Sequence, residues 1–214
     1  MTENIHVQGI DRTRLDDAVD VLCEAFFDYP VMRFVIGDDG DDYSRRLKEL
    51  VSFLAEARFL RRDLVLAVCE KDQIAAVANI HRPGPAIVSV ELDAHRARLW
   101  ADLGDDARRR YEAYGDVTGG FVYPEPHFHL GMIGVRQRCA GRGHARRLLD
   151  ALHEMSRSEP SSRGISLTTE SPHNVPLYEH FGFQIVGQGC IGAVQTWGFF
   201  RPERRLEPSP DDNA

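Results

Sequence analysis

Apolar residues recur along this chain at two spacings, and the changes from one to the other outline its elements. Ile5 to Ile10 reads as a first strand. Asp11 or Thr13 can cap a helix with Leu15, Val19, Leu22 and Phe26 on one face, ending before Pro30. The aromatic and acidic stretch 28–42 reads as a loop, and a second helix from Tyr43 carries Leu47, Leu50, Val51 and Leu54. Leu64 to Glu70 and Ile74 to His81 flank Lys71-Asp72-Gln73 as a hairpin does, before Arg82-Pro83-Gly84-Pro85 breaks the sheet. Ile87 to Leu92 reads as a short strand, and 94–114 as helical stretches interrupted by Gly104. Glycines and prolines in 115–126 return the chain to a strand built on Phe128, Leu130, Met132 and Ile133 to Val135. A glycine turn then opens a helix from Gly141 to about Ser158, with Ala145, Leu148, Leu149 and Leu152 at helical spacing. Ile165 to Thr169 is a strand of the buried type, and two strands joined through a helix should lie parallel. Phe183 to Cys190 and Ala193 to Phe200 form a closing hairpin around Ile191-Gly192.

This order is that of an α/β fold. A chain of 214 residues can bury one good core, so residues 1–201 are expected to form a single domain. Residues 202–214 are polar and proline-bearing, the composition of a disordered tail. No repeat and no long linker interrupts the pattern. A formal net charge of -7 disfavours nucleic acid as the main partner and would suit a cationic amine. Cys23, Cys69, Cys139 and Cys190 are scattered without metal-site spacing, so neither a disulfide framework nor a metal is expected. The N-terminal MTENIHVQGIDRTR has no apolar signal core and no apolar run approaches ~20 residues, so the expectation is a cytoplasmic protein without a membrane partner.

The chemistry concentrates at His127 to Asp150. A helix start carries unpaired backbone N–H groups and a partial positive charge, and Gly141-Arg142-Gly143-His144-Ala145 would bring an anion directly onto those donors. Arg136, Arg138, Arg142, Arg146 and Arg147 crowd the same stretch of an acidic chain, which points to a polyanionic ligand. GxxxxGK[ST] is absent, Arg146 replaces the third glycine of GxGxxG, and the loop from Arg136 to Ala140 is too long for a dinucleotide turn. A nucleotide-bearing ligand held in another way remains.

The run Ile133-Gly134-Val135, five loop residues, Gly-Arg-Gly-His-Ala and Leu148-Leu149 resembles the acetyl-coenzyme A signature of the GNAT N-acetyltransferase superfamily, [QR]xxGx[GA]. Gly143 and Ala145 match, Ala140 stands where the leading Gln or Arg belongs, and Arg138 meets that position only in a register shifted by two, with Gly141 and Gly143. A second stretch, Asn174 to Phe183, resembles the family's N-x-x-x-Y followed by Gly-Phe, and Asp28, Pro30 and Arg33 resemble the branch containing puromycin-type acetyltransferases. The resemblance implies a GNAT fold: a mixed, mostly antiparallel sheet, flanked by helices, whose parallel central strand pair splays. It implies acetyl-coenzyme A as cosubstrate. Ile133, Gly134 and Val135 would lie along the pantetheine, and Arg138, Gly141, Arg142, Gly143, His144, Ala145 and Arg146 around the pyrophosphate. Asn174 would touch the coenzyme from the other side. Dimerisation is common in the family, so a homodimer is compatible with the resemblance.

The implied reaction is acetyl transfer to a primary amine by direct attack, with a small-molecule or antibiotic-like acceptor first and a protein amine second. A coenzyme-binding sensor without turnover is the alternative from another class. Tyr178 stands where the family keeps its general acid. For the base, His127 and His129 are about 7 Å apart on one strand face and titrate in the useful range, while Glu170 and Glu91 are acidic candidates. His144, His153, His173 and His180 read as loop or helix-surface residues, and Trp100 and Trp197 as packing.

Overall fold

The structure, a computed structural model, describes residues 5–37, 40–85, 87 and 89–203. One sheet of seven strands runs in the order β1 (His6–Gly9), β2 (Leu64–Glu70), β3 (Gln73–His81), β4 (Phe128–Val135), β5 (Gly164–Thr169), β7 (Val194–Pro202), β6 (Gln184–Ile191). Every neighbouring pair is antiparallel except β4 and β5, which are parallel, as a strand–helix–strand connection requires. The mostly antiparallel mixed sheet with a parallel central pair is therefore the observed architecture.

Alternation along the strands sends side chains into two cores. Val65, Ala67, Val77 and Met132 meet α1 (Leu15–Phe26), α2 (Pro30–Ile36), α3 (Tyr43–Leu60) and α4 (Val90–Gly119) on one face. Leu66, Val68, Ala78 and Leu130 meet Leu148, Leu149 and Leu152 of α5 (His144–Ser158) on the other. Because both faces are covered, β2 and β3 are almost wholly apolar. The last helix, α6 (Val175–His180), is short and leads into the closing hairpin.

Two loop and strand expectations are corrected. Residues 30–36 form α2: Pro30 ends one helix and opens the next, since its missing N–H costs nothing at a first helical turn. Its Val31, Met32, Val35 and Ile36 are buried, and Gly37, at φ 86°, closes it with an N–H to the Arg33 carbonyl at 2.9 Å. Of the expected strand at 87–92, residues 90–92 instead open α4, where Ser89 Oγ accepts from the Leu92 N–H at 3.3 Å. Gly104 does interrupt α4, at φ 81° and ψ 165°, but helix resumes and runs beyond Tyr114 to Gly119. The acidic pair Asp38 and Asp39 and most of the expected tail, 204–214, lie outside the described residues. Among the described residues, no helix is long and apolar enough to cross a membrane.

Candidate active site

The site begins as a gap in the sheet. β4 and β5 pair only through Phe128–Ile165, His129–Ser166 and Leu130–Leu167, after which β4 continues to Val135 against β3 alone. A bulge lets β4 diverge: Asn79 pairs with Met132 and Ile80 with Leu130, leaving Gly131 as the extra residue. Beyond it, the Arg136 N–H donates to the Ala75 carbonyl at 2.9 Å, so Arg136, Gly134 and Met132 turn their main-chain groups toward β3. Ile133 and Val135 consequently face the gap, as free edge groups that can pair with an extended ligand. Gly134 has a different task. A Cβ there would sit 2.8 Å from Ala25 Cβ and 3.2 Å from Leu22 Cδ2, so this glycine lets α1 close on the strand rather than touching a ligand.

The chain then makes a 3-10 turn at Gln137–Cys139 and reaches α5 through Gly141 (φ 75°) and Gly143 (φ 77°), conformations that L side chains rarely adopt. No main-chain N–H from Gly141 to Ala145 donates to an acceptor among the described residues. These donors, at the positive end of a helix of 15 residues, have the geometry that can seat a phosphate. Their flanking arginines are tethered outward: Arg138 Nη2 to Gln73 Oε1 at 2.8 Å, Arg142 Nη1 to Glu70 Oε2 at 3.1 Å, and Arg146 toward Asp150 at 3.8 Å and over the Phe181 ring. The seat is made of backbone, with Arg138, Arg142 and Arg146 around its rim.

A cavity of about 800 Å³ opens from the gap between β4 and β5 toward α1 to α4. Ile133, Val135, Ala145, Asn174, Tyr178, Glu170 and His129 all line it, together with Tyr29, Tyr114 and Tyr123. Glu170, 5 % exposed, follows the last residue of β5. Its Oε1 accepts from the Tyr114 hydroxyl at 3.0 Å and from Thr196 Oγ1 at 2.9 Å, and its own N–H donates to the Tyr29 hydroxyl at 3.1 Å. Burial raises the carboxyl above its ordinary value, and those hydroxyl donors only partly offset the shift. The result is a carboxylate that is a better base than a solvated one.

Tyr178, buried against Phe183 and Phe199, faces the same cavity, and no described residue bonds its hydroxyl. Burial drives its pKa up, so it is held as a protonated donor. Asn174 Nδ2 donates to Thr169 Oγ1 at 3.1 Å, and the Tyr29 hydroxyl is 2.8 Å from the same oxygen. His129 is half-buried on the cavity wall with Nδ1 2.8 Å from Ser166 Oγ, and burial pushes its pKa down to about 3. An imidazole so weakly basic cannot draw a proton from an ammonium at neutral pH.

The other candidates lie elsewhere. His127 precedes β4 instead of sharing its face with His129; its Nδ1 is 2.9 Å from the Pro124 carbonyl oxygen. Glu91 is exposed in the first turn of α4, 3.6 Å from Arg12. His144 and His153, expected at the surface, are buried at 1 % and 8 % exposure, because the glycine turn directs the first residue of α5 inward and His153 packs on Phe181 and Phe183. Trp100, expected only to pack, also lines the cavity. The sequence does not mark Tyr29 or Tyr114 as partners of Glu170. Local spacing marks neither, since each meets Glu170 only through a contact more than a hundred or some fifty residues away in the chain.

A model of the acetyltransferase (GNAT) domain matches residues 110–193, which contain both signature stretches, the gap and Glu170. A curated relative from Schizosaccharomyces pombe, an uncharacterised N-acetyltransferase, is 26% identical over 179 residues, covering 78% of this chain and 69% of its own. The fold is shared with a Corynebacterium glutamicum structure described as histone acetyltransferase HPA2 and related acetyltransferase: TM-score 0.68 at 21% identity, over 95% of this chain and 99% of that one. It is shared too with arylalkylamine N-acetyltransferase 2 of Aedes aegypti: TM-score 0.59 at 14% identity, over 92% and 97%. Residues 110–193 thus match the GNAT acetyltransferase domain, and the splayed central pair and bare-amide helix start are set in the fold that these acetyltransferase structures share.

Proposed function

We propose that the protein transfers an acetyl group from acetyl-coenzyme A to the primary amine of a small molecule by direct attack on the thioester. The observation that carries this reading is the convergence on one cavity of a buried, hydroxyl-framed carboxylate, a buried tyrosine hydroxyl and an open strand edge. Main-chain donors from Gly141 to Ala145 hold the pyrophosphate, and Ile133 and Val135 hold the pantetheine as an added strand. Glu170 takes the proton that the acceptor nitrogen must lose, directly or through one water. As the new N–C bond forms, a strand amide facing the gap donates to the carbonyl oxygen. Tyr178 donates to the sulfur as the C–S bond breaks, and the products are the amide and the free thiol.

A tyrosine of ordinary pKa is about 2 kcal/mol too weak to protonate a thiolate outright, and burial adds to the deficit. Tyr178 therefore contributes by position: its hydroxyl is already desolvated and committed to no other described partner. His129, the remaining catalytic candidate, contributes to the wall as a neutral imidazole.

Aromatic side chains supply the acceptor end of the cavity, among them Tyr29, Phe53, Trp100, Tyr111, Tyr114 and Tyr123. Such a lining suits an arylalkyl or similarly apolar amine better than a flexible polar peptide terminus. Release of free thiol from acetyl-coenzyme A with a panel of aromatic, aliphatic and peptide amines tests the proposal. The expected result is turnover fastest with an aromatic amine. Thermal stabilisation by the coenzyme without thiol release for any amine would overturn the transfer.

A further inference from the structure

Beneath the phosphate seat, on the side away from the cavity, three residues that share no sequence spacing come together. Glu70 ends β2, Cys139 ends the 3-10 turn and His144 is the first residue of α5. One ligand atom from each lies within 4.8 Å of the other two. Cys139 is 5 % exposed, the His144 side chain is fully enclosed, and the Glu70 side chain is 15 % exposed. We propose that Glu70, Cys139 and His144 form a binding site for a zinc-type divalent cation that ties the Gly141–Gly143 turn to the β2–β3 hairpin.

The chemistry of the donors selects the ion. Thiolate, imidazole and carboxylate together are the donor types that zinc takes, and they leave one position of a tetrahedron for water. Magnesium or calcium would want oxygen throughout. A thiolate and a carboxylate also set two negative charges against the ion's two positive ones, where an unpaired ion would be costly. The thiol proton of Cys139 leaves to solvent on binding.

His144 provides the second, independent observation. Neither of its ring nitrogens makes an aligned hydrogen bond, although both are enclosed. Nε2 is only 2.9 Å from Glu70 Oε1, yet that oxygen lies off the direction a ring N–H would need. A close oxygen beside the nitrogen, rather than in front of it, is the relation of two donors on one ion, each about 2.0–2.1 Å from it. The other Glu70 oxygen is occupied by Arg142 Nη1 at 3.1 Å, which orients the carboxylate as an outer partner does in metal sites. A smaller cavity of about 310 Å³, lined by Glu70, Cys139, Arg138 and Arg142, reaches the site from outside and gives an ion its route in.

Cobalt(II) titration of the full chain tests the site without any assay of acetyl transfer. Protein stripped with chelator and kept reduced should take up one equivalent of cobalt with a thiolate-to-cobalt charge-transfer band, and zinc should displace it. Cys139→Ser should abolish the band, and His144→Gln should weaken binding by about tenfold or more. Thermal unfolding confirms that each variant folds; should His144→Gln fail, Glu70→Gln replaces it with the same expected loss. No band with folded wild-type protein, or a band unchanged in Cys139→Ser, would overturn the proposal and leave a plain contact between His144 and Glu70. Neither result depends on the coenzyme reading, because metal uptake is measured in its absence.

Discussion

The Tyr114 hydroxyl donates to the Glu170 carboxylate across 3.0 Å, joining the last turns of a long helix to the residue that follows the diverging central strand. This bond stabilises the charged form of a carboxyl that burial otherwise pushes toward protonation. In the proposed role Glu170 must be unprotonated, so activity should fall as pH drops through its pKa, which burial raises above the ordinary value. Removing the donor raises that pKa further. Tyr114→Phe should therefore move the acid limb of kcat/KM to higher pH. Glu170→Gln should lower the rate by about 10²-fold or more and remove the limb. The profile is best measured with a weakly basic aromatic amine, whose own ionisation falls outside the window.

Tyr178→Phe keeps the ring packed on Phe183 and Phe199 and deletes only the hydroxyl. A drop in kcat of about 10²-fold, with KM for the coenzyme little changed, is expected from steady-state kinetics. An unaltered kcat at saturating substrates would show that the hydroxyl takes no part.

Two glycines nine residues apart should fail in different ways. Gly143→Ala forces a side chain into φ 77° with open space around it, so the fold should survive while the N–H groups of the phosphate seat are misaimed. Calorimetry should show coenzyme affinity reduced with only a small fall in Tm. Gly134→Ala instead drives a methyl to 2.8 Å from Ala25 on α1 and should cost about 1–3 kcal/mol of stability by overpacking, read from denaturant unfolding.

His129 should make the fold acid-sensitive. Its pKa falls from an ordinary 6.5 to about 3 in the folded protein, so between those values the unfolded chain binds the extra proton. The stability contribution is complete above pH 6.5 and is lost as pH falls toward 3. Discounted for the ring's partial exposure to the cavity, it is on the order of 3 kcal/mol. His129→Gln should flatten the dependence of unfolding free energy on pH across that interval, whatever it does to stability at neutral pH. His81 and His153, also depressed by burial, should leave a residual slope.

Much of this protein is written locally. Alternating and continuous apolar runs specify β2, β3, β4 and β5, the spacing of Leu148, Leu149 and Leu152 specifies α5, and the two glycines before it specify an anion-accepting helix start. These are decided by side-chain period and backbone sterics within a few residues, so the chain alone reveals them. Residues 30–36 were hidden because a proline can close one helix and open another, and which it does depends on whether the next turn has a core to bury against. The convergence of Tyr29, Tyr114 and Thr196 on Glu170, the need for glycine at 134, and the meeting of Cys139 and His144 with Glu70 belong to the tertiary structure alone. Each depends on strand register and helix placement over long chain separations, and no local period carries that information.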